Sequence, residues 1–304
     1  MKARIVVGLG FGDEGKGMTT DYLCSKSNNP VVVRFNGGHQ AGHTVIRNNI
    51  KHVHSSFGSG TLLGIPSYIS DYCCFYPPAI EAERDDLKSK GISPVLVIHP
   101  LAKVTTPYDI AYNRMIESRL RHGSVGVGIG ATFSRNTAGY RLHACDLTSV
   151  TLLEEKLNQI SNYYFTQKLW NCTEAEIDYF KKICEEEFIF FYNSLKVRLS
   201  ISSYDYLKLF DTVIFEGAQG IMLDMEFGSF PNVTYSHCTS RNALSICHRL
   251  DIFNIEIDYV TRCYTTRHGN GWIPNQDKIE LINTEEEINM SHNWQGNFRT
   301  GELD

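Results

Sequence analysis

The sequence predicts an α/β protein whose mainly parallel sheet is flanked by helices. Short β-branched runs alternate with amphipathic helical stretches through the first half of the chain. Within those runs consecutive residues are apolar and do not alternate with polar residues. This pattern is typical of parallel strands that are covered on both faces of the sheet. Three of them end in glycine-rich loops. With 304 residues, 42% of them hydrophobic, the chain is long enough to bury a sizeable core.

The elements are predicted in chain order from the apolar pattern. Strands are expected at residues 5–8, 31–35, 67–70, 95–99, 212–216 and 257–264. Helices are expected from the first glycine loop to about residue 25, at 78–90 and 109–122, and through most of 152–199. Thr173, followed by Glu174 and Glu176, predicts a helix start within that last stretch. We expect one continuous domain over 1–304 with a helical insertion around 150–200.

Composition excludes several classes of protein. The formal net charge of −5 does not indicate a basic surface that would bind nucleic acid. No apolar run approaches the roughly 18–20 residues that span a bilayer, and the N-terminus enters a strand pattern without a signal-peptide cleavage site. The nine cysteines form no Cys-x-x-Cys pair, so the spacing of structural zinc sites is absent. We expect reduced thiols in a cytoplasmic protein that binds neither membrane nor nucleic acid.

The clearest motif is GFGDEGKG at residues 10–17, directly after the first strand. It fits G-x-x-x-x-G-K, a loop whose glycines let backbone N–H groups approach phosphate oxygens. The positive N-terminal end of the following helix and the charge of Lys16 add to that attraction. Gly17 replaces the usual Ser or Thr, so the hydroxyl that normally holds Mg²⁺ is missing. Asp13 is the obvious substitute ligand.

Two other interpretations of this loop remain open. The same residues satisfy G-x-G-x-x-G, the dinucleotide-binding pattern. Against it, Asp13 and Glu14 would repel a pyrophosphate unless a metal intervened, and the second strand ends in RFN at 34–36 without the expected acid. A purely structural turn is the third interpretation.

The second motif is NGGHQAGHT at residues 36–44, after the second strand. Doubly wound sheets bind ligands at the carboxyl ends of their strands, and this motif lies at such an end. A histidine there can donate to a developing phosphoryl charge or transfer a proton near neutral pH. His43 is the better candidate for that role, whereas His39 is equally well explained as an ordinary surface or core residue.

Taken together, the motifs resemble the adenylosuccinate synthetase family. The resemblance rests on GDEGKG at 12–17 followed by GGHQAGHT at 37–44. FEGAQG at 215–220, TRHGNG at 266–271 and RTGELD at 299–304 match later blocks of that family in the same order. Five ordered blocks across the chain are far more specific than any one of them. The resemblance implies a fold of the phosphate-loop nucleotide-binding class.

The resemblance also implies an activity, that of a carbon–nitrogen ligase joining aspartate to the 6-position of IMP with GTP and Mg²⁺. Asp13 would be the general base and a metal ligand, with the carbonyl of Gly42 completing the metal shell. Lys16 would hold phosphates, and His43 would stabilise and protonate the transferred phosphoryl group. Gln219 would hydrogen-bond the 6-oxygen. The family further implies a homodimer.

The remaining implied site residues contact the nucleotides or the amino acid. The nucleotide-binding positions would be Gly12, Glu14, Gly15, Gly17, Gln40, Ser124, Leu223, Thr234 and Arg267. The amino-acid-binding positions would be Arg299 and Thr300.

Several positions depart from the family pattern. Gln40 replaces an asparagine, and SVGVGIGA at 124–131 replaces a loop with two threonines and an arginine, which leaves Ser124 as its hydroxyl. The arginine that reaches into the partner's site in this family has no clean counterpart, and Arg135 and Arg141 are the candidates.

Other departures bear on substrate identity. Arg299 is what remains of an arginine run that clamps aspartate, and Phe298 stands where a charge is expected. The sequence ends at Asp304, before the family's Lys-x-Asp element for guanine, as in a short or C-terminally incomplete member. ATP or dATP therefore remains open as donor, and dGMP as acceptor, as in the phage 2-aminoadenylosuccinate synthetases, although Asp13 favours IMP. A non-catalytic nucleotide-binding relative and a simple phosphate-loop kinase or GTPase are the further alternatives.

Overall fold

The computed structural model describes residues 1–121, 123–280 and 297–303. The strands are β1 Lys2–Gly8, β2 Pro30–Arg34, β3 His43–Arg47, β4 Ile50–His54, β5 Ser67–Ile69, β6 Cys74–Phe75, β7 Leu96–Ile98, β8 Lys103–Val104, β9 Ser200–Ile201, β10 Thr212–Glu216, β11 Asn254–Val260, β12 Tyr264–His268 and β13 Phe298–Glu302. The helices are α1 Lys16–Lys26, α2 Pro77–Ser89, α3 Pro107–Leu120, α4 Ile129–Thr137, α5 Val150–Tyr163, α6 Glu174–Ser194 and α7 Arg241–Arg249.

Seven strands form one sheet in the order β11-β1-β10-β2-β5-β7-β9, and every neighbouring pair is parallel. The predicted α/β class is therefore confirmed. In the middle of the sheet the strands β1, β10 and β2 are buried over nearly their whole length. That burial explains their unbroken Val and Ile content, because helices must cover both faces of a parallel sheet.

The two faces of the sheet are covered by different parts of the chain. On one face, Val6, Val32 and Ile214 pack against Leu23 and Cys24 of α1. The opposite face packs against α7 and the segment before β10. Because β1 leads directly through a loop into α1, this packing holds the start of α1 at the carboxyl edge of the sheet.

The predicted helical insertion is confirmed as α5 and α6, which form a core of their own with α2 and α3. Thr173 starts α6 with a capping box, since its side chain and that of Glu176 bond each other's backbone N–H groups. At the centre of this core the Tyr164 hydroxyl donates to Asp109 at 2.6 Å. No helix among the described residues combines the length and apolar character needed to cross a bilayer.

Two sequence-based expectations about strands were wrong. The strand predicted at 257–264 is two strands, because β11 ends at Val260 and β12 begins at Tyr264. β12 leaves the main sheet and pairs antiparallel with β13. The antiparallel hairpin of β3 and β4 was not predicted, although Asn48 and Asn49 join its strands with positive φ angles of 50° and 62°, as a tight hairpin turn requires.

Candidate active site

Three loops converge at the carboxyl edge of the sheet, after β1, β2 and β10. The Asn36 side chain exchanges two hydrogen bonds with the backbone of Ala218, at 2.7 and 2.9 Å. The Met222 N–H donates to the Gly10 carbonyl at 3.0 Å, which joins the first loop to the third. The sheet therefore brings together motifs that are about 200 residues apart in the sequence.

The first loop holds its own carboxylate. Glu14 accepts hydrogen bonds from the backbone N–H groups of Gly10 and Gly12 at 3.0 and 2.7 Å. Its second oxygen lies 2.7 Å from Nζ of Lys16, which also donates to the Gly12 carbonyl. Both charged side chains are almost fully buried. In this conformation Glu14 occupies the amide cradle that the motif predicts for phosphate.

Gly17 has a steric reason to be glycine. A Cβ at this position would lie 2.7 Å from Cβ of His43 and 3.0 Å from Oγ of Ser59. The first turn of α1 thus packs directly against the second loop. The Ser or Thr that usually follows the lysine would not fit here, so the departure from the usual phosphate loop follows from the close approach of His43.

His43 is held by a carboxylate from the central strand. Its Nδ1 lies 2.6 Å from Oε1 of Glu216, and both side chains are buried. Ser59 donates to the same carboxylate through its backbone N–H at 3.0 Å and through its hydroxyl. With Nδ1 engaged, Nε2 is the ring nitrogen available to a ligand.

The charges around this pair favour an ionised glutamate and a neutral histidine. Burial alone would raise the pKa of Glu216, but His43, Arg34 and the hydrogen bond from Ser59 outweigh it and lower the pKa to about 2. Burial lowers the pKa of His43, and Arg34 and Lys16 add to that effect against the opposing influence of Glu216. The neutral imidazole therefore donates Nδ1–H to the carboxylate.

Two side-chain amides meet at Gly37. A Cβ on Gly37 would lie 3.0 Å from Oε1 of Gln219 and 3.4 Å from Nε2 of Gln40. The Oε1 atoms of both glutamines are buried without a hydrogen-bond partner among the described residues. Gln219 also has a positive φ of 55°, an uncommon conformation for a residue with a side chain. Unpartnered amide oxygens beside a phosphate-type loop are suited to a ligand with N–H groups, such as a purine.

Asp13 lies at the mouth of the first loop. Its carboxylate is 25% exposed and lies 3.2 Å from Nε2 of His268 on β12. Gly42, the other predicted metal ligand, is exposed. A partly exposed carboxylate and the backbone carbonyl of an exposed glycine are oxygen donors of the kind that Mg²⁺ takes when it keeps several waters and binds phosphate as well. The residues present therefore fit a magnesium ion.

Two arginines on the hairpin of β12 and β13 have no carboxylate partner within the described ranges. Arg267 donates to the carbonyls of Trp272 and Asn232 and lies 4.5 Å from the centre of the Phe11 ring. Arg299 donates to two backbone carbonyls at 2.7 and 2.8 Å. Burial and the nearby Arg299 lower the pKa of Arg267 to about 10.

The other amino-acid-binding residue, Thr300, lies on the same strand as Arg299. Its hydroxyl donates to the Asp277 carbonyl at 2.7 Å. The part of this predicted loop at residues 294–296, and Asp304, lie outside the described residues.

The remaining predicted residues lie around the loops. Leu223 ends a short turn after the third loop, and its carbonyl accepts from the Thr234 N–H at 2.8 Å. Gly15 precedes α1 with a φ of 90°, so it holds a left-handed conformation that favours glycine. Ser124 lies beyond the end of α3, where its hydroxyl accepts from Asn113 at 3.0 Å. This hydrogen bond does not tie Ser124 to the three loops.

One arginine candidate is wrong. Arg135 was considered as the residue that reaches into a partner's site, but it is fully buried and forms a two-pronged pair with Asp109 at 2.8 and 2.9 Å. A guanidinium held inside the helical core cannot extend to another chain. Arg141 is exposed and remains the candidate.

Sequence reasoning missed Glu216 and Ser59. Glu216 lies in the FEGAQG motif at 215–220, but its contact with His43 was not predicted. A charged residue ending an otherwise apolar strand, TVIFE at 212–216, was the available signal, since a buried charge needs a partner. Ser59 carried no signal, because its role depends on a contact with a residue 157 positions away.

The fold and the three loops define the class of this protein as an α/β protein of the phosphate-loop type. Residues 5–297 match the sequence profile of the family described as adenylosuccinate synthetase. The chain is 32% identical over 296 residues to the adenylosuccinate synthetase of Caldanaerobacter subterraneus, covering 92% of this chain. The chain therefore belongs to the adenylosuccinate synthetase family, as its motifs predicted.

Solved structures agree on the fold. The fully ligated adenylosuccinate synthetase of Plasmodium falciparum is similar with a TM-score of 0.78 at 22% identity, over 100% of this chain and 72% of that one. The succinoaminodeoxyadenylate synthetase of cyanophage S-2L, bound to dGMP and dATP, is similar with a TM-score of 0.66 at 17% identity, over 100% of this chain and 79% of that one. The chain spans about two thirds of the length of its curated relatives, 67% of the Caldanaerobacter protein and 64–66% of others.

Proposed function

We propose that this protein is a Mg²⁺-dependent carbon–nitrogen ligase that joins L-aspartate to the 6-position of IMP at the expense of GTP, giving adenylosuccinate. Family membership supports the reaction class. The observation that carries the proposal is the buried pair of His43 and Glu216 against the first turn of α1. Binding alone needs a cradle for phosphate, whereas a histidine oriented by a buried carboxylate beside that cradle is suited to phosphoryl transfer.

In the first step the Asp13 carboxylate takes the proton from N1 of IMP. The electron pair shifts to the 6-oxygen, which attacks the γ-phosphorus in line, and the bond to the β-phosphate oxygen breaks with GDP as leaving group. The negative charge of the triphosphate favours protonation of His43, whose Nε2 then donates to the transferred phosphoryl oxygens. Gln219 holds the 6-oxygen, and Lys16 moves from Glu14 to the phosphates.

In the second step the amine of aspartate attacks carbon 6 of the purine. The bond from carbon 6 to the phosphorylated oxygen breaks, phosphate leaves, and the amine loses its proton. Arg299 is suited to hold a carboxylate of aspartate, because its guanidinium bonds only Gln276 and two backbone carbonyls among the described residues. Arg267 would contact the nucleotide. Thr300 would support Arg299 on the same strand.

Asp13 and Gly42 would hold the Mg²⁺ ion. When bound, the ion would neutralise phosphate charge and stabilise the charge that develops during transfer. Asp13 then has two tasks, binding the metal and accepting the N1 proton. Its contact with His268 must give way to the ion or the nucleotide, because the same oxygen lies 3.2 Å from the imidazole.

The other nucleotide contacts follow the family pattern and the loop geometry. Gly12, Gly15 and Gly17 let the backbone approach the phosphates, and Glu14 releases the loop amides to them. Gln40, Ser124, Leu223 and Thr234 would contact the purine nucleotide. We further infer a homodimer, in which exposed Arg141 reaches the partner's site, and a cytoplasmic location, in keeping with nine free thiols.

The test is phosphate release with Mg²⁺, IMP and aspartate, run in parallel with GTP and ATP and with each component omitted in turn. Release that requires both IMP and aspartate is the expected result. The nucleoside triphosphate that gives the faster release, GTP or ATP, is the phosphate donor. Release without aspartate would indicate a kinase or NTPase instead. Activity with dGMP in place of IMP, and with ATP or dATP, would instead indicate the chemistry of the cyanophage relative.

Two substitutions separate catalysis from binding. Asp13→Ala and His43→Ala should abolish turnover, because each removes a group that acts on the reacting atoms. Both variants should still bind nucleotide in a calorimetric titration, since Lys16 and the loop amides remain. Near-normal turnover in either variant would overturn the mechanism. A chain that binds nucleotide but releases phosphate under none of these conditions would be a non-catalytic relative.

A further inference from the structure

Two histidines and a glutamate that the proposed reaction does not use lie together beneath α2. His52 and His54 alternate with exposed Val53 on β4, so both point to the same side of the hairpin. Glu83 on α2 faces them. One nitrogen of each histidine and a carboxylate oxygen of Glu83 all lie within 4.8 Å of one another, and all three residues are buried.

The spacing of these atoms resembles the edges of a metal coordination sphere. Nε2 of His52 lies 3.4 Å and Nδ1 of His54 lies 3.9 Å from Oε1 of Glu83. Around a tetrahedral zinc ion with bonds of 2.0–2.1 Å, neighbouring ligand atoms are about 3.4 Å apart. Small side-chain rotations would therefore bring the three atoms onto one ion.

Charged groups of both signs flank His52. Its Nδ1 lies 2.9 Å from the carboxylate of Asp86, which is half exposed, and 3.1 Å from Nζ of Lys90, which can only donate. Metal binding through Nε2 requires the proton on Nδ1, where it donates to Asp86, while Lys90 stays paired with Asp86 at 2.6 Å. A carboxylate behind the histidine is the usual support of a metal-bound imidazole.

The second histidine supplies an independent observation. His54 is completely buried, and neither of its ring nitrogens has a hydrogen-bond partner among the described residues. Two buried unsatisfied nitrogens are costly, and metal binding would satisfy one of them. Glu83 is prepared in the way that metal-binding carboxylates are, because the backbone N–H groups of Ser55, Ser56 and Phe57 donate to it.

The geometry points to a binding site for one divalent transition-metal ion of the zinc type, with His52, His54 and Glu83 as ligands and solvent in the fourth position. Two imidazoles and one carboxylate favour zinc over magnesium, which prefers oxygen ligands. The ion would brace the β3–β4 hairpin, where His54 pairs with His43. The inference is independent of the proposed ligase activity, because metal content is measured without turnover.

The test measures zinc in the full-length chain. Protein stripped with a chelator is dialysed against Zn²⁺ with Mg²⁺ in excess, and bound metal is counted by mass spectrometry. We expect one zinc per chain, and several degrees of thermal stabilisation on loading. His52→Gln should lose both, while His248→Gln, on the exposed side of α7, should lose neither. Failure to retain zinc, or equal retention by His52→Gln, would overturn the proposal.

Two further measurements keep the result decisive. Co²⁺ in place of Zn²⁺ should give visible bands of a tetrahedral site without thiolate charge-transfer bands, whereas thiolate bands would assign the metal to cysteine and refute the site. Asp86→Asn, at a half-exposed position, should fold normally and weaken zinc affinity about 10- to 100-fold. Unchanged affinity in that variant would mean that Lys90, 3.1 Å from Nδ1, rather than Asp86, bonds His52, which would leave the proton on Nε2 and contradict the site.

Discussion

Glu216 at the end of β10 accepts a hydrogen bond from His43 at the start of β3 at 2.6 Å, across 173 residues of sequence. Glu216→Gln keeps the size of the side chain but removes its charge. Because the imidazole then loses the partner that fixes its tautomer and orientation, we expect kcat to fall about 10²- to 10⁴-fold. Steady-state phosphate release checks this, with nucleotide affinity as the control. Equal losses in kcat and in nucleotide binding would indicate a collapsed site rather than a misoriented histidine.

The same carboxylate should make stability depend on pH. The pKa of Glu216 falls from an ordinary 4.5 to about 2 in the folded chain. A lowered folded pKa gives stability that is present above the unfolded value and lost as pH falls through the folded value. On the acid side, the difference in free energy of unfolding between the native chain and Glu216→Gln should therefore shrink as pH falls from 4.5 to about 2. Urea unfolding at a series of pH values measures it, and a difference independent of pH would contradict an ionised buried glutamate.

Gly17→Ala tests the contact between α1 and the second loop. The added Cβ would lie 2.7 Å from Cβ of His43, so the histidine or the helix must move. Overpacking of this kind costs about 1–3 kcal/mol of stability, and displacement of a catalytic group by about 1 Å can lower activity about 10²-fold. Tyr22→Ala, on the exposed side of the same helix, is the control and should leave activity unchanged. Full activity in Gly17→Ala would show that the contact is not needed.

Glu14 and Lys16 form a buried pair in the phosphate loop, 2.7 Å apart. Glu14→Ala leaves the lysine charge buried without its partner, so we expect a loss of about 3–5 kcal/mol in the free energy of unfolding without nucleotide. Nucleotide should recover part of that loss, because phosphate can replace the carboxylate. Glu185→Ala on the exposed side of α6 should change stability by less than about 0.5 kcal/mol. A Glu14→Ala chain as stable as the native one would refute the pair's role.

Arg135 should matter for stability and not for a partner's site. Arg135→Met leaves Asp109 buried and uncompensated, so we expect a loss of about 3–5 kcal/mol in urea unfolding. Arg141→Ala should leave stability unchanged, because Arg141 is exposed. Activity measured well below the unfolding transition should stay near normal in Arg135→Met. Unchanged stability with lost activity would restore Arg135 as a substrate-binding residue.

The local pattern of apolar and capping residues was sufficient to predict the position of some elements. The strand 212–216 and the capped start of α6 at Thr173 were predicted at the residues where they occur. The β3–β4 hairpin was missed because its residues alternate between buried histidines and exposed positions, a pattern that polar loop residues also give. The break between β11 and β12 was missed because both sides of it have strand character and only their pairing separates them.

The class of fold, the family and the loops at which ligands are expected could be predicted from the residues alone, because these depend on spacing within short segments. Which groups meet could not be predicted before the elements were packed together. Glu216 reaches His43, Glu14 fills the amide cradle, Arg135 turns inward to Asp109, and Glu83 faces two histidines. Three of these contacts, those of Glu216, Arg135 and Glu83, join different elements of the fold. Their side chains come into contact only when the sheet and the helices have packed. Neither residue of such a pair reveals the other in the sequence, since the distance between them is set by the fold.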